Sequence, residues 1–504
     1  MKSYTPLAPR NASFKYLRTM LLRAGSATLL AGLTVSCAHN SGGANESAAA
    51  DPEKAKNVIL FVGDGMGVST VTAIRILAGQ LEGQSGEEYV LSWEKFPHVA
   101  LSKTYNTNQQ VPDSAGTATA MLSGVKTKAG FIGVGPTPKR TDCVASLSHP
   151  VESILERAER QGLSTGIATT ARLTHATPAS AYAHAPERDW ESIADMPEAA
   201  ISAGCKDIAQ QLIEFPIGNG LEVALGGGRS NFLPNTAQDP EYSDRQGTRT
   251  DGRDLPNEWA NRQNASYVWN EHQFHSVDVS KTDHLLGLFD TGHMKFSLDR
   301  KDDQAGEPSL AHMTEKAIRI LQKNEKGFFL LVEGGRIDHG HHEGVAALAL
   351  HDGVAMAEAV AVADQMTSDA DTLIIVTADH SHTFVMAGYP TRGNPILGKV
   401  IGNDDFGEAK ATPDLLGDNL PYTTLGYYNG PGAVTSLPRP DISDIDTETP
   451  TYHQQALIPR SSETHGGEDV AIYAKGPGSE RNHGVMEQSS IYDVMLQAYG
   501  FDKE

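Results

Sequence analysis

The feature that most restricts this chain is a set of short, β-rich apolar runs, each followed closely by glycine, an acid or a histidine. They cover residues 57–62, 164–170, 221–225, 328–332, 372–376 and 470–474. Short runs this rich in apolar and β-branched residues suit strands buried on both faces, and such strands need helices on either side of their sheet. Helical periodicity lies between them, over residues 151–161, 309–323 and 344–365. The pattern predicts an α/β fold: a doubly wound, mostly parallel central sheet with helices on both faces. In such sheets ligands bind beyond the carboxyl ends of the strands, so the polar residues closing the runs are read together as one candidate site.

The 504 residues can be held by one large core of this type. Residues 231–262 and 389–450 break the alternation, being rich in Gly, Pro and Asp without a long apolar period. The second reads as an insertion near the site mouth or an interface. With 41 Lys+Arg against 63 Asp+Glu the formal charge is −22, which repels phosphate backbones and argues against nucleic acid as a structural partner. A composition of 39% hydrophobic and 21% charged residues excludes a disordered chain.

At the start, Lys2, Arg10, Lys15, Arg18 and Arg23 precede a short apolar stretch at 24–35, then Ser36-Cys37. That order predicts a secretory signal over residues 1–36. Cys37 resembles the acylated cysteine of a bacterial lipobox, although Thr34 stands where an aliphatic residue is usual; plain cleavage near Ala38 or Ala50 is the other reading. Residues 37–53 are small and polar, as in a flexible tether, and the folded domain is expected over 54–504. The expected location is the periplasm or cell surface, with membrane attachment through lipidated Cys37. An oxidising compartment favours pairing the two other cysteines, Cys143 and Cys205, over two free buried thiols.

Five motifs carry chemistry. Gly63-Asp64-Gly65-Met66-Gly67 puts an acid among glycines at a strand end, where a cation can approach. Asp113-Ser114-Ala115-Gly116-Thr117 sets a serine at a helix N-terminus, whose N–H groups favour an oxyanion. Glu333-Gly334-Gly335-Arg336-Ile337-Asp338-His339-Gly340-His341-His342 and Ala378-Asp379-His380-Ser381-His382 each end a strand with carboxylates and imidazoles, and Thr464-His465-Gly466-Gly467 adds another. Asp and His are zinc ligands where thiolates are lacking.

Together these motifs, in this order from about Asn57 to Gly500, resemble alkaline phosphatases. The likeness is to the animal type more than the enteric bacterial type, because His175 and His339 stand where the latter has Asp and Lys. The resemblance implies hydrolysis of phosphate monoesters through a covalent phosphoserine, with a broad substrate range, and a homodimer with a crown-like insertion at about 389–450. It also implies a first zinc on Asp338, His342 and His465, and a second on Asp64, Asp379 and His380 with Ser114 as reactive ligand. Magnesium would sit on Asp64, Thr177 and Glu333, with His175 acting through water. Arg188 would clamp phosphate and His339 would lie beside it. A calcium site on Glu241, the Phe289 carbonyl, Asp290 and Glu307 is implied too, with acid types exchanged at 290 and 307 relative to the animal pattern. The animal enzymes also carry a disulfide at the spacing of Cys143 and Cys205.

Two other enzyme classes share such sites. A sulfatase would need a Cys-x-Pro-x-Arg-type segment, which this sequence lacks. A phosphodiesterase would usually lack the counterparts of Arg188, Thr177 and Glu333. A non-enzymatic metal- or phosphate-binding lipoprotein would have no need of Ser114.

Overall fold

The computed structural model describes residues 54–502. The signal segment, the tether and Cys37 lie outside the described residues. The strands are β1 Asn57–Gly63, β2 His98–Lys103, β3 Ser164–Arg172, β4 Val223–Gly227, β5 Ala265–Val268, β6 His284–Leu288, β7 Phe328–Gly334 and β8 Thr372–Ala378. They continue with β9 Ser381–His382, β10 Phe384–Met386, β11 Leu425–Gly430, β12 Ala456–Pro459, β13 His465–Gly466, β14 Val470–Lys475 and β15 Gly484–Glu487.

Ten of these form one sheet in the order β15-β2-β14-β8-β1-β7-β3-β4-β6-β5. Only β14 runs against its neighbours. The central strands β1, β7 and β8 are buried along their whole length. Because side chains alternate across a strand, each feeds two cores. Ile59, Phe61, Leu330, Val332, Ile374 and Val376 enter one, beneath helices Leu310–Leu321 and Ala346–Met366. Val58, Leu60, Val62, Leu331 and Ile375 enter the other, beneath helices Ile154–Arg160, Ile208–Ile213 and Ser490–Tyr499. The expected doubly wound α/β architecture is thus present. Helix Ala346–Met366 is long because its alanines favour helix and its apolar surface is taken up by the core.

The irregular stretch at 231–262 is held by charge. The Arg229 guanidinium is buried against Asp239 at 2.8 Å and Glu241 at 2.8 Å. Arg249 is equally buried against Asp207 at 2.9 Å. Fully paired guanidinium groups of this kind can replace an apolar core, whereas losing one partner would strand a buried charge. The stretch at 389–450 contributes β11, which pairs with β10 and β12 in a separate three-stranded sheet. Cys143 and Cys205 are joined in a disulfide with Cα atoms 6.0 Å apart.

Candidate metal centre

The carboxyl ends of β1, β7 and β8 are in register, with Gly63 beside both Gly334 and Ala378. Asp64 and Asp379 therefore leave adjacent strands at one level, while Glu333 lies within the end of β7 and Asp338 follows on helix Arg336–His342. Gly65 has φ +69°, and a Cβ there would come within 2.4 Å of the His382 ring, so glycine is what lets that imidazole lie against the turn.

β9 and β13 pair His382 with His465. This brings His465 to Asp338 and His342. The Nε2 atoms of His342 and His465 are 3.1 Å apart, and each lies 3.4–3.5 Å from Asp338 Oδ1. Their Nδ1 atoms face the carbonyls of Glu463 at 2.7 Å and Pro112 at 2.8 Å. Each Nδ1 therefore carries the proton, leaving both Nε2 lone pairs aimed at one point. A tetrahedral zinc with bonds of about 2.05 Å has ligand–ligand edges of about 3.3 Å, so the three donors fit that ion.

His382 was not assigned a role from the sequence. Its Nε2 is 2.8 Å from Asp338 Oδ1 and its Nδ1 is bonded to Glu463. Burial disfavours its charge, but Glu463 and Asp338 outweigh that and push its pKa up to about 10. A ring donating from both nitrogens orients Asp338 rather than offering a lone pair. His341 is different again: Thr70 and Tyr427 occupy its two nitrogens in the core, so one of the three clustered histidines is a packing residue.

The second group surrounds Ser114, which is 2% exposed. Its Oγ is 3.1 Å from His380 Nε2 and 3.4 Å from Asp64 Oδ1. His380 Nε2 also lies 3.4 Å from Asp64 Oδ1 and 3.2 Å from Asp379 Oδ2. Ser114 opens helix Ser114–Ser123 but does not cap it; Asp113 does, accepting from Gly116 N–H at 3.1 Å. That leaves the Ser114 hydroxyl free to face the acids. Asp113 also holds Arg188, whose Nη1 is 3.3 Å away, while Nη2 reaches His175 Nε2 at 3.1 Å.

The third group holds buried oxygens in need of a cation. Asp64 Oδ2, Glu333 Oε1 and Thr177 Oγ1 are buried with no hydrogen-bond partner. Asp64, His175 and Glu333 bring one donor atom each within 4.8 Å of one another. Burial, then the neighbouring Asp379, Asp338 and Glu333, raises the Asp64 pKa well above the carboxylate range. Burial likewise lifts Glu333 to about 8. Such crowding of acids is unfavourable unless a cation neutralises it, and hard oxygen donors suit magnesium.

His339 lies beside this group with its ring centroid 5.5 Å from that of His175. Sequence reasoning missed His293, whose ring centroid is 4.0 Å from that of His339. A Thr-Gly-His turn between a strand and an irregular loop carries no local signal of that approach.

The calcium candidates are dispersed among ion pairs. Glu241 bonds Arg229, and Asp290 accepts from Lys295 Nζ at 2.9 Å. Glu307 accepts from Lys295 N–H at 2.8 Å, while its second oxygen is buried without a partner and burial raises its pKa to about 8. Phe289 is buried at the end of β6.

Comparison with known proteins identifies the family. The family model described as alkaline phosphatase covers residues 55–501. The chain is 50% identical over 453 residues to the tissue-nonspecific alkaline phosphatase of Gallus gallus, covering 88% of this chain and 84% of that one. It is 49% identical over 452 residues to the human tissue-nonspecific enzyme, covering 88% and 83%. Among solved structures, the alkaline phosphatase of the Antarctic bacterium TAB5 superposes with TM-score 0.60 at 23% identity, covering 89% of this chain and all of that one. The Thermus thermophilus alkaline phosphatase gives 0.63 at 24% identity, covering 90% and 93%. The expected likeness to the animal type agrees with these identities, and the chain belongs to the alkaline phosphatase family.

Proposed function

We propose that this enzyme hydrolyses phosphate monoesters through a covalent phosphoserine at Ser114, in a site that binds two zinc ions and one magnesium ion. The single observation that carries the reading is the buried Ser114 hydroxyl, which meets Asp64 and His380 directly, with Asp379 on the same His380 nitrogen and Arg188 held by the adjoining Asp113. Asp338, His342 and His465 would hold the first zinc; Asp64, Asp379, His380 and Ser114 the second; Asp64, Thr177 and Glu333 the magnesium, with His175 contacting it through water. When bound, such ions lower the pKa of an attached hydroxyl and neutralise charge on the attacking and leaving oxygens.

The chain's own residues supply the rest. Ser114 Oγ attacks phosphorus in line as the P–O bond to the alcohol breaks, and the alcohol leaves with a proton. Water then attacks phosphorus from the vacated side, breaking the Ser114 ester and releasing inorganic phosphate. Arg188 presents two parallel N–H groups to two phosphoryl oxygens, and Asp113 fixes its plane. His339 would touch the phosphoryl group or its product, a role supported by family resemblance and by its place beside His175. These contacts read phosphate and little of the alcohol, which supports a broad substrate range.

Calcium on Glu241, Phe289, Asp290 and Glu307 is a further part of this reading. The buried, unpartnered Glu307 oxygen supports it, together with Asp303 Oδ2, which is also buried without a partner. So are a signal peptide at 1–36, a tether at 37–53, lipidation of Cys37 with export to the periplasm or cell surface, and a homodimer. They are supported by sequence order and family resemblance. A crown-like insertion at 389–450 is supported by the separate three-stranded sheet and by exposed Tyr389, Phe406 and Leu415.

The test is release of p-nitrophenol from its monophosphate and from the corresponding diester, with and without chelator. Chelator-sensitive turnover of the monoester alone supports the reading. Preference for the diester would replace it with a phosphodiesterase.

A further inference from the structure

Along the same rim of the sheet, beyond its outer strand β5, three more metal-ligating side chains converge. Helix Glu271–Ser276 follows the carboxyl end of β5, and helix Leu310–Leu321 begins after the loop that leaves β6. Glu271 and His275 stand one turn apart on the first, with His275 Nε2 3.5 Å from a Glu271 carboxylate oxygen. His312, on the second, sets its ring edge-on to His275 with centroids 5.5 Å apart. One donor atom from each residue lies within 4.8 Å of the other two.

These distances approach those of a bound ion. The Glu271–His275 separation is already close to the edge of about 3.3 Å expected between ligands of a tetrahedral zinc, and the exposed His312 ring needs to close by at most about 1.5 Å. Beyond the ion pair and the ring contacts, no hydrogen bond among the described residues engages these three side chains. Lys316, one turn on from His312, is committed to the Phe274 carbonyl and sits 4.3 Å from the centre of the Phe274 ring. A helical ion pair would need only Glu271 and His275; His312 brings a third donor from a different helix.

We propose that Glu271, His275 and His312 form a peripheral site for a borderline divalent transition metal, zinc above all, with water completing the coordination. Two imidazoles and one carboxylate are a ligand set used by open zinc sites, and imidazole discriminates against magnesium and calcium. The site would brace a specific segment. Glu271 N–H donates to the Gly306 carbonyl at 2.8 Å, and a Cβ at Gly306, where φ is +75°, would come within 2.8 Å of Glu271 Oε2. An ion here would pin both helices and the end of the 289–307 loop, whose opening turn rests His293 on His339.

The experiment uses the metal-replete enzyme after loosely held ions are removed by gel filtration. Zn2+ uptake is measured by equilibrium dialysis, and Cu2+ is used as a spectroscopic probe, in wild type and in the double variant His275→Ala, His312→Ala. Wild type is expected to take up one further equivalent at sub-millimolar Zn2+, with nitrogen coupling from two imidazoles in the Cu2+ spectrum. The double variant should lose both while keeping its catalytic metals and p-nitrophenyl phosphate turnover. Because both histidines are exposed, a thermal melt of each protein serves to establish that the variant is folded. Equal uptake by the two proteins, or no further equivalent in wild type, would overturn the site. Neither result would touch the catalytic assignment, which shares no residue with it.

Discussion

His342 and His465 come from segments far apart in sequence, yet their Nε2 atoms meet at 3.1 Å with both Nδ1 protons already given to backbone carbonyls. Two lone pairs so close repel unless something positive lies between them. This pair states the chemistry of the centre more sharply than any one motif, and it makes the response to metal removal predictable.

Chelation should abolish turnover and lower the melting temperature, because Asp64, Asp379 and Glu333 then crowd one another without the ions' counter-charge, whereas Asp338 keeps the His382 imidazolium. Asp64 and Glu333 have pKa values raised by burial, so they should take up protons when the ions leave. Adding zinc and magnesium back at neutral pH should therefore release protons, seen as acidification of a weakly buffered, dye-monitored solution. Rebinding with no proton release would contradict this electrostatic picture.

Ser114→Ala should keep fold and metals while losing the phosphoenzyme. Turnover should fall by roughly 10³-fold or more, as when a nucleophile is removed from a preorganised site. Acid-quenched phosphopeptide mapping is the check. A labelled serine in the variant would exclude Ser114 as nucleophile.

Arg188→Ala should raise KM and weaken inhibition by inorganic phosphate by about 2–3 kcal/mol, the worth of a lost charge-assisted bidentate contact. Lysine in its place should restore only part of that, since an ammonium cannot reproduce the fork. Full rescue by Arg188→Lys would show that charge alone matters.

Reducing or replacing the Cys143–Cys205 bridge should cost stability without changing the chemistry. The bridge spans 62 residues, and closing a loop of this size is worth about 4 kcal/mol in the chain-entropy model. Denaturant unfolding of Cys143→Ala, Cys205→Ala measures it; an unchanged midpoint would show that the bridge constrains nothing.

Glu159 offers a pH test away from the metals. Burial, then its neighbour Glu222, raises its pKa to about 8; one oxygen accepts from Thr165 at 2.5 Å and the other has no partner. A carboxyl whose pKa is raised on folding favours the folded state at low pH, and that advantage is lost as pH rises from its unfolded value toward 8. Glu159→Gln keeps the Thr165 contact and cannot ionise. The variant should therefore gain on wild type between pH 5 and pH 9 by about 4 kcal/mol. Parallel stability curves across that window would refute the assignment.

Much of this was legible from the chain because strand-end chemistry is local. Asp64, Glu333, Asp379 and His380 come within four residues of the end of an apolar run, and Asp338 on the helix turn that follows one, so a parallel sheet brings them together. His382 stood inside a recognised motif, but its partnership with Asp338 and Glu463 depends on β9 and β13, two-residue strands without a periodic signal. β2 escaped notice because it mixes exposed and buried positions, and β5 because it is a short outer strand. His293 and the corner formed by Glu271, His275 and His312 arise only from tertiary approach. Nothing in the local sequence marks Arg229 and Arg249, and only the fold reveals them as the core of their segment.

The first of the proposed metal ligands, Asp64, lies ten residues into the described segment, and the last, His465, belongs to a strand pair made near that segment's end. A growing polypeptide therefore has most of its catalytic acids long before it has the imidazole that completes the Asp338 and His342 set. On that assignment the full set of ions can be held only once the segments carrying Asp64 and His465 are both in place, so retention of metal is also a record that those segments have met.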